Sequence, residues 1–235
     1  MAKPDKQPST LKARILSAII LLPFSISLLM LGPPYGDCFI FLITCLLLKE
    51  WIELCGVGSL RSRGRALWFL GGGAYILAAC AFFAALGHHK TLPFQTLLVL
   101  AAVSTDTSAY FIGRWWRGPK LAPDISPSKT WSGAVGGIIG SQIVLTGFFA
   151  TFMFLKFPSC LPPLTRTIFI FMGFSLFLSM VAQCGDLLES GAKRAFKVKD
   201  SGTLIPGHGG FLDRLDSLLA ISLVVGLIAA LIKGA

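Results

Sequence analysis

FLDRLDSLLAISLVVGLIAALI, residues 211–232, carries Asp213, Arg214 and Asp216 in its first six positions and no charge in the sixteen that follow. A helix needs about 20 predominantly apolar residues to cross a hydrocarbon layer about 30 Å thick. The stretch therefore reads as a transmembrane helix that opens with its charges at one membrane face. Six further stretches approach this length: roughly 15–31, 37–55, 67–86, 92–112, 132–155 and 167–187. The expected fold class is an all-α integral membrane protein, a bundle of about seven transmembrane helices.

Composition supports this reading. Of 235 residues, 54% are hydrophobic and 14% charged, whereas soluble domains carry about 25% charged residues. The net charge of +10 falls between apolar runs, as membrane-flanking charge does, which argues against nucleic acid as a partner. Cys38, Cys45, Cys55, Cys80, Cys160 and Cys184 show no paired spacing and read as small buried hydrophobes. The apolar run after the basic N-terminus is too long for a signal peptide and lacks a small-residue cleavage site, so it reads as an uncleaved first span.

Alternate loops differ in Lys and Arg. One set holds Lys3, Lys6, Lys12 and Arg14, then Arg61, Arg63 and Arg65, then Arg114, Arg117, Lys120 and Lys129, then Lys193, Arg194, Lys197 and Lys199. The other holds only Lys90, Lys156, Arg166 and Lys233. The richer side faces the cytoplasm, which puts the N-terminus inside. The chain divides into a cytoplasmic tail (1–14), N-terminal spans (15–100) and a catalytic membrane region (101–235). Gly133, Gly136, Gly137 and Gly140 are spaced for close helix packing. Trp51, Trp115 and Trp116 read as interface anchors, and His88 and His89 as a solvated turn.

Chemistry is expected where charge enters the spans, because each buried charge there costs about 2.5–3.5 kcal/mol on insertion scales. Asp106 lies in the fourth stretch, Asp186 ends the sixth, and Asp213 and Asp216 open the seventh, all toward one face. Asp186, Glu189, Ser190 and Lys193 share a face if the helix continues. Clustered carboxylates suit Mg²⁺, which takes one or two of them and fills its other positions with water and phosphate. Lys193, Arg194, Lys197 and Lys199 supply positive charge. Pro206-Gly207-His208-Gly209-Gly210 supplies a loop whose amides could line a polyphosphate before a helix N-terminus. These are the parts that phosphoryl or nucleotidyl transfer uses. A lipid-binding basic patch would account for the lysines alone. Residues 120–130, with two lysines and two prolines, read as a cytoplasmic connector that could serve the same site.

The run Ser190-Gly-Ala-Lys193-Arg194, Lys199-Asp200-Ser201-Gly202, Pro206-Gly-His208-Gly209-Gly210-Phe-Leu-Asp213-Arg214-Leu-Asp216 resembles the signature of phosphatidate cytidylyltransferases (CDP-diacylglycerol synthases). Asp106 with Ala109-Tyr110 and Gly113-Arg114, the run Leu121 to Gly133, and Gly185-Asp186 with Glu189-Ser190 resemble the same family in order. Glu50-Trp51 is the main likeness in the N-terminal third.

The resemblance implies that CTP and phosphatidate are converted to CDP-diacylglycerol and pyrophosphate with Mg²⁺, at the cytoplasmic side of the inner (plasma) membrane. It implies Asp186 and Asp213 as metal ligands, joined by Asp106, with Asp216 as a supporting acid. Lys193, Arg194, Lys199 and Arg214 would hold phosphates. Ser126, Lys129 and Thr130 would hold nucleotide or lipid phosphate, and Ser190, Gly209 and Gly210 would line the substrate. His208 would fix the loop or touch phosphate. Members usually have eight or nine spans, which implies a shortened region between Arg65 and Asp106; a homodimer is compatible with the family pattern. The alternatives are a CTP-dependent lipid-alcohol kinase, which would release CDP, and a transporter using the acids as an ion relay.

Overall fold

The structure, a computed structural model, describes residues 25, 27–29, 31–57, 62–88, 93–156, 164–198, 200–202 and 210–234. The N-terminal tail, most of the first apolar stretch, His89, Cys160, Lys199, His208 and Gly209 lie outside these residues. Six long helices follow in order: α1 (Tyr35–Val57), α2 (Ser62–Gly87), α3 (Phe94–Trp116), α4 (Trp131–Lys156), α5 (Leu164–Ala195) and α6 (Leu212–Gly234). A two-stranded hairpin, β1 (Lys120–Ala122) and β2 (Ser126–Thr130), sits between α3 and α4.

Among the described residues, five helices are long and apolar enough to cross a membrane, from Ala66–Gly87 through Leu212–Ile232. The chain is a multi-pass membrane protein. α1, the second expected span, is long enough but carries Lys49, Glu50 and Glu53 in its C-terminal half. It is not among the five. Leu31, Phe41, Leu67, Ile143 and Leu231 are among many large apolar side chains left exposed, as a lipid-facing surface requires.

The glycine spacing of α4 does what close packing needs. A Cβ at Gly137 would lie 3.0 Å from the Thr105 carbonyl oxygen, and one at Gly133 would lie 2.9 Å from that of Ala109. The backbones of α3 and α4 therefore touch, which fixes Asp106 on α3 relative to the hairpin that leads into α4. α5 spans 32 residues, about 48 Å at 1.5 Å per residue. It is longer than a hydrocarbon layer is thick, and Glu189, Lys193 and Arg194 lie in its last two turns.

Three expectations are corrected. Trp51 is buried, donates from Nε1 to the Phe69 carbonyl at 3.3 Å, and meets the Phe196 ring edge-on; it packs α1 against α2 instead of anchoring an interface. Trp115 and Trp116 are exposed as anchors should be. Cys38, Cys45 and Cys184 are exposed, whereas Cys55 and Cys80 are buried; thiols on lipid-facing helix surfaces need no protein neighbour. Residues 120–130 form a hairpin, with Lys120 opposite Thr130 and Ala122 opposite Ser126. His88 sits near Asp37, with Nε2 3.2 Å from Oδ2.

Candidate active site

α3, the hairpin, α4 and α5 enclose a cavity of about 710 Å³, within the range of ligand pockets. Asp106 and Asp186 line it from opposing helices, with Lys129 between them. Tyr110, Arg114, Arg117 and Lys120 line its wall toward the C-terminal end of α3. Asp106 precedes Trp116 by ten residues, about 15 Å along the helix, so the cavity extends along the C-terminal half of α3.

Local sequence explains the placement. Thr130 is the N-cap of α4: its Oγ1 accepts the Gly133 amide at 3.1 Å and shares a 3.0 Å bond with Ser132. Ser132 Oγ in turn accepts the Gly118 amide at 3.1 Å. Capping of this kind satisfies amides that the helix leaves open. It also fixes Lys129, one residue earlier, whose Nζ forms an ion pair with Asp186 Oδ2. Gln183 donates to the Ala134 carbonyl at 3.1 Å and ties α5 to α4 one turn before Asp186.

Behind this pair, Asp216 on α6 is buried and stands within electrostatic reach of Asp186, Asp106 and Lys129. Ser217 Oγ donates to Asp106 Oδ1 at 3.2 Å and joins α6 to α3. Three carboxylates thus converge on a single lysine. Among the described residues, no three His, Cys, Asp or Glu side chains enclose a metal ion by themselves. The set fits Mg²⁺ nonetheless, because that ion takes one or two carboxylates and completes its shell with water and phosphate oxygens.

Asp213 belongs to a second cluster. Its Oδ1 accepts from Lys193 Nζ at 2.7 Å, and its Oδ2 from the amides of Ser201 and Gly210, each at 3.1 Å. Lys193 also pairs with Glu189 Oε2 at 2.6 Å. Glu189 Oε1 is buried without a hydrogen-bond partner among the described residues. Asp213 and Lys193 are not among the residues that line the cavity with Asp186.

Thr130 spends its hydroxyl on capping, although it borders the cavity. Ser126 lies at the far end of β2, opposite Ala122, and is not among the lining residues. Arg194 is exposed and donates from Nε to the Ile125 carbonyl at 3.0 Å, docking α5 on the hairpin. Ser190 is half-buried one turn after Asp186, and Arg214 is exposed on the first turn of α6. The Gly210 amide is given to Asp213, and those of Phe211 and Leu212 to Glu50. The start of α6 thus gives these three amides to the chain's own carboxylates.

Tyr110, Arg117, Lys120, Gln183 and Glu50 were not assigned site roles from sequence. Arg117 and Lys120 were visible there only as flanking charge. Arg117 takes a left-handed conformation (φ 43°) that ends α3, its amide returning to Gly113, and this turn carries it to the cavity wall.

Comparison with known proteins bears on what this cavity does. The cytidylyltransferase family pattern matches residues 66–232, which includes every helix around it. The chain belongs to this family. Among curated members named phosphatidate cytidylyltransferase, that of Brucella melitensis is 35% identical over 268 residues, covering 95% of this chain and 94% of the relative. That of Rickettsia conorii is 33% identical over 224 residues, covering 94% and 92%. That of Staphylococcus aureus is 45% identical over 117 residues, or 50% of this chain and 41% of the relative. Phosphatidate cytidylyltransferases are nucleotidyltransferases, and this chain is one of that family of enzymes.

Proposed function

We propose that the protein transfers a cytidylyl group from CTP to phosphatidate, giving CDP-diacylglycerol and pyrophosphate, at the cytoplasmic face of the cell membrane. The carrying observation is the cavity in which Asp106, Asp186 and Lys129 meet beneath Arg114, Arg117 and Lys120. It offers acids at depth and cations above them, beside the exposed Trp115 and Trp116, where a soluble nucleotide can meet a lipid headgroup. The bias of Lys and Arg supports a cytoplasmic N-terminus, and the sequence spacing supports seven spans.

In the reaction, a phosphatidate phosphate oxygen attacks the α-phosphorus of CTP. The bond from that phosphorus to the β-phosphate bridging oxygen breaks, and pyrophosphate leaves with the electron pair. Asp106 and Asp186, which both line the cavity, would hold Mg²⁺ with Asp216 behind them, and the ion would supply positive charge against the triphosphate. Lys129 orients Asp186 and faces the transferring phosphate. Arg117 and Lys120 bind phosphate oxygens and offset the charge that grows on the leaving group. Tyr110, to which Arg114 donates at 3.0 Å, aligns that guanidinium along the wall. The rigid α3–α4 contact keeps these groups from relaxing apart, which is what positioning requires.

Purified protein in detergent should release pyrophosphate from CTP only when phosphatidate is present. EDTA should abolish the release and excess Mg²⁺ restore it. Release of CDP in place of pyrophosphate would favour a lipid kinase, and turnover unaffected by EDTA would remove the metal from the proposal.

A further inference from the structure

Glu50 is 0% exposed although it is ionisable and lies on α1, outside the cavity. Its Oε1 accepts the Phe211 amide at 3.0 Å and its Oε2 the Leu212 amide at 2.9 Å. Both donors belong to the start of α6, 161 and 162 residues away in sequence. The two open amides of a helix start, at its positive end, give a buried carboxylate the partners it needs. A second observation is independent of these bonds. A Cβ on Gly202 or on Gly210 would each lie 2.7 Å from a Glu50 carboxylate oxygen, so both glycines leave room for this side chain and for nothing larger.

Asp213 completes the arrangement from the other side by accepting the Ser201 and Gly210 amides. Two carboxylates, one from α1 and one from α6 itself, thus clasp the backbone on both flanks of residues 203–209. The clasp sets the first turn of α6. One turn later the same helix presents Asp216 to Asp186 and Asp106, and Ser217 to Asp106.

We propose that Glu50 is a positioning residue for cytidylyl transfer: by holding the Phe211 and Leu212 amides it fixes the rotation and depth of α6, and through α6 the place of Asp216 behind the cavity. The proposal rests on the reaction assigned above. Glu50 touches no substrate; its effect passes through the helix.

The test uses the full chain in detergent with Glu50→Gln, which keeps size and one acceptor oxygen, and Glu50→Ala as the stronger variant. Two readouts are taken on folded protein isolated by size exclusion. Amide hydrogen exchange at Phe211 and Leu212, followed by mass spectrometry, should accelerate about tenfold in Glu50→Gln, the effect of losing one hydrogen bond of ordinary net strength. The kcat for pyrophosphate release should fall about tenfold with KM for CTP changed less than about twofold, because the loss appears only in the transition state. Should Glu50→Ala fail to fold, the Glu50→Gln result decides. Exchange unchanged within about twofold would overturn the clasp. Faster exchange with unchanged kcat would make Glu50 a stability residue only and overturn the positioning role. Faster exchange in a chain whose unsubstituted form releases no pyrophosphate would place the fault with the assigned reaction and not with the clasp.

Discussion

Asp186→Asn should lower the kcat for pyrophosphate release by about 10²–10³-fold or more, the effect of removing one preorganised electrostatic group from a buried reaction centre. Asparagine has nearly the same shape and keeps an oxygen to accept from Lys129, so helix packing should survive. The charge does not. Asp186 is the carboxylate that pairs with Lys129 and shares the cavity lining with Asp106. Its loss leaves Lys129 paired with no acid of α5 and weakens any cation site by one charge. Asp124→Asn, in the exposed turn of the hairpin, is the control and should behave as the unsubstituted protein. Steady-state kinetics on both variants, with circular dichroism to establish folding, is the measurement. Near-normal turnover by Asp186→Asn would remove this residue from the reaction centre.

The second large effect concerns folding more than chemistry. Lys193 holds Glu189 and Asp213 together, and the three side chains are 15%, 8% and 13% exposed. Lys193→Met would leave two buried carboxylates facing each other without a cation. Breaking a buried pair in this way costs about 3–5 kcal/mol, which for a chain of this size corresponds to a fall of roughly 10 °C in the unfolding midpoint. The double variant Lys193→Met with Glu189→Gln removes one of the stranded charges and should recover part of the loss, since residues in contact are not additive. Thermal unfolding in detergent followed by intrinsic fluorescence reports both. A midpoint within two degrees of the unsubstituted protein, an order-of-magnitude bound set by the same scaling, would mean that this cluster is solvated and structurally idle.

The apolar runs were legible because hydropathy over about 20 residues answers to the bilayer alone. The stretch read as 132–155 is Trp131–Lys156, and that read as 211–232 is Leu212–Gly234. The gathering of Asp106, Asp186 and Asp216 was legible too, since intramembrane acids are costly and are kept for a reason. Their division into two clusters was not. Asp213 and Asp216 are three residues apart and share a broad face, but successive residues turn by about 100° and these two diverge by about 60°. That is enough for one to reach Lys193 on α5 while the other faces Asp106 on α3.

Non-local partners account for the other differences. Residues 120–130 look like a connector because the strands are short and Pro127 sits in one of them; a proline is tolerated in a two-stranded edge where no ladder bond is needed from it. Glu50 was visible only as a charge in an apolar run, and its partners lie 161 residues downstream. Thr130 could have been recognised as an N-cap from its place just before an apolar run. The family signature drew attention to it as a phosphate contact instead.

The central claim is that the cavity joins the α-phosphorus of CTP to the phosphate of a lipid. The direct test incubates the purified chain with phosphatidate, Mg²⁺ and CTP labelled either at the α- or at the γ-phosphorus, then counts label in the organic extract. Cytidylyl transfer places the α-label in the lipid and leaves the γ-label in water as pyrophosphate. The γ-label appearing in the lipid, or neither label appearing there, would contradict it.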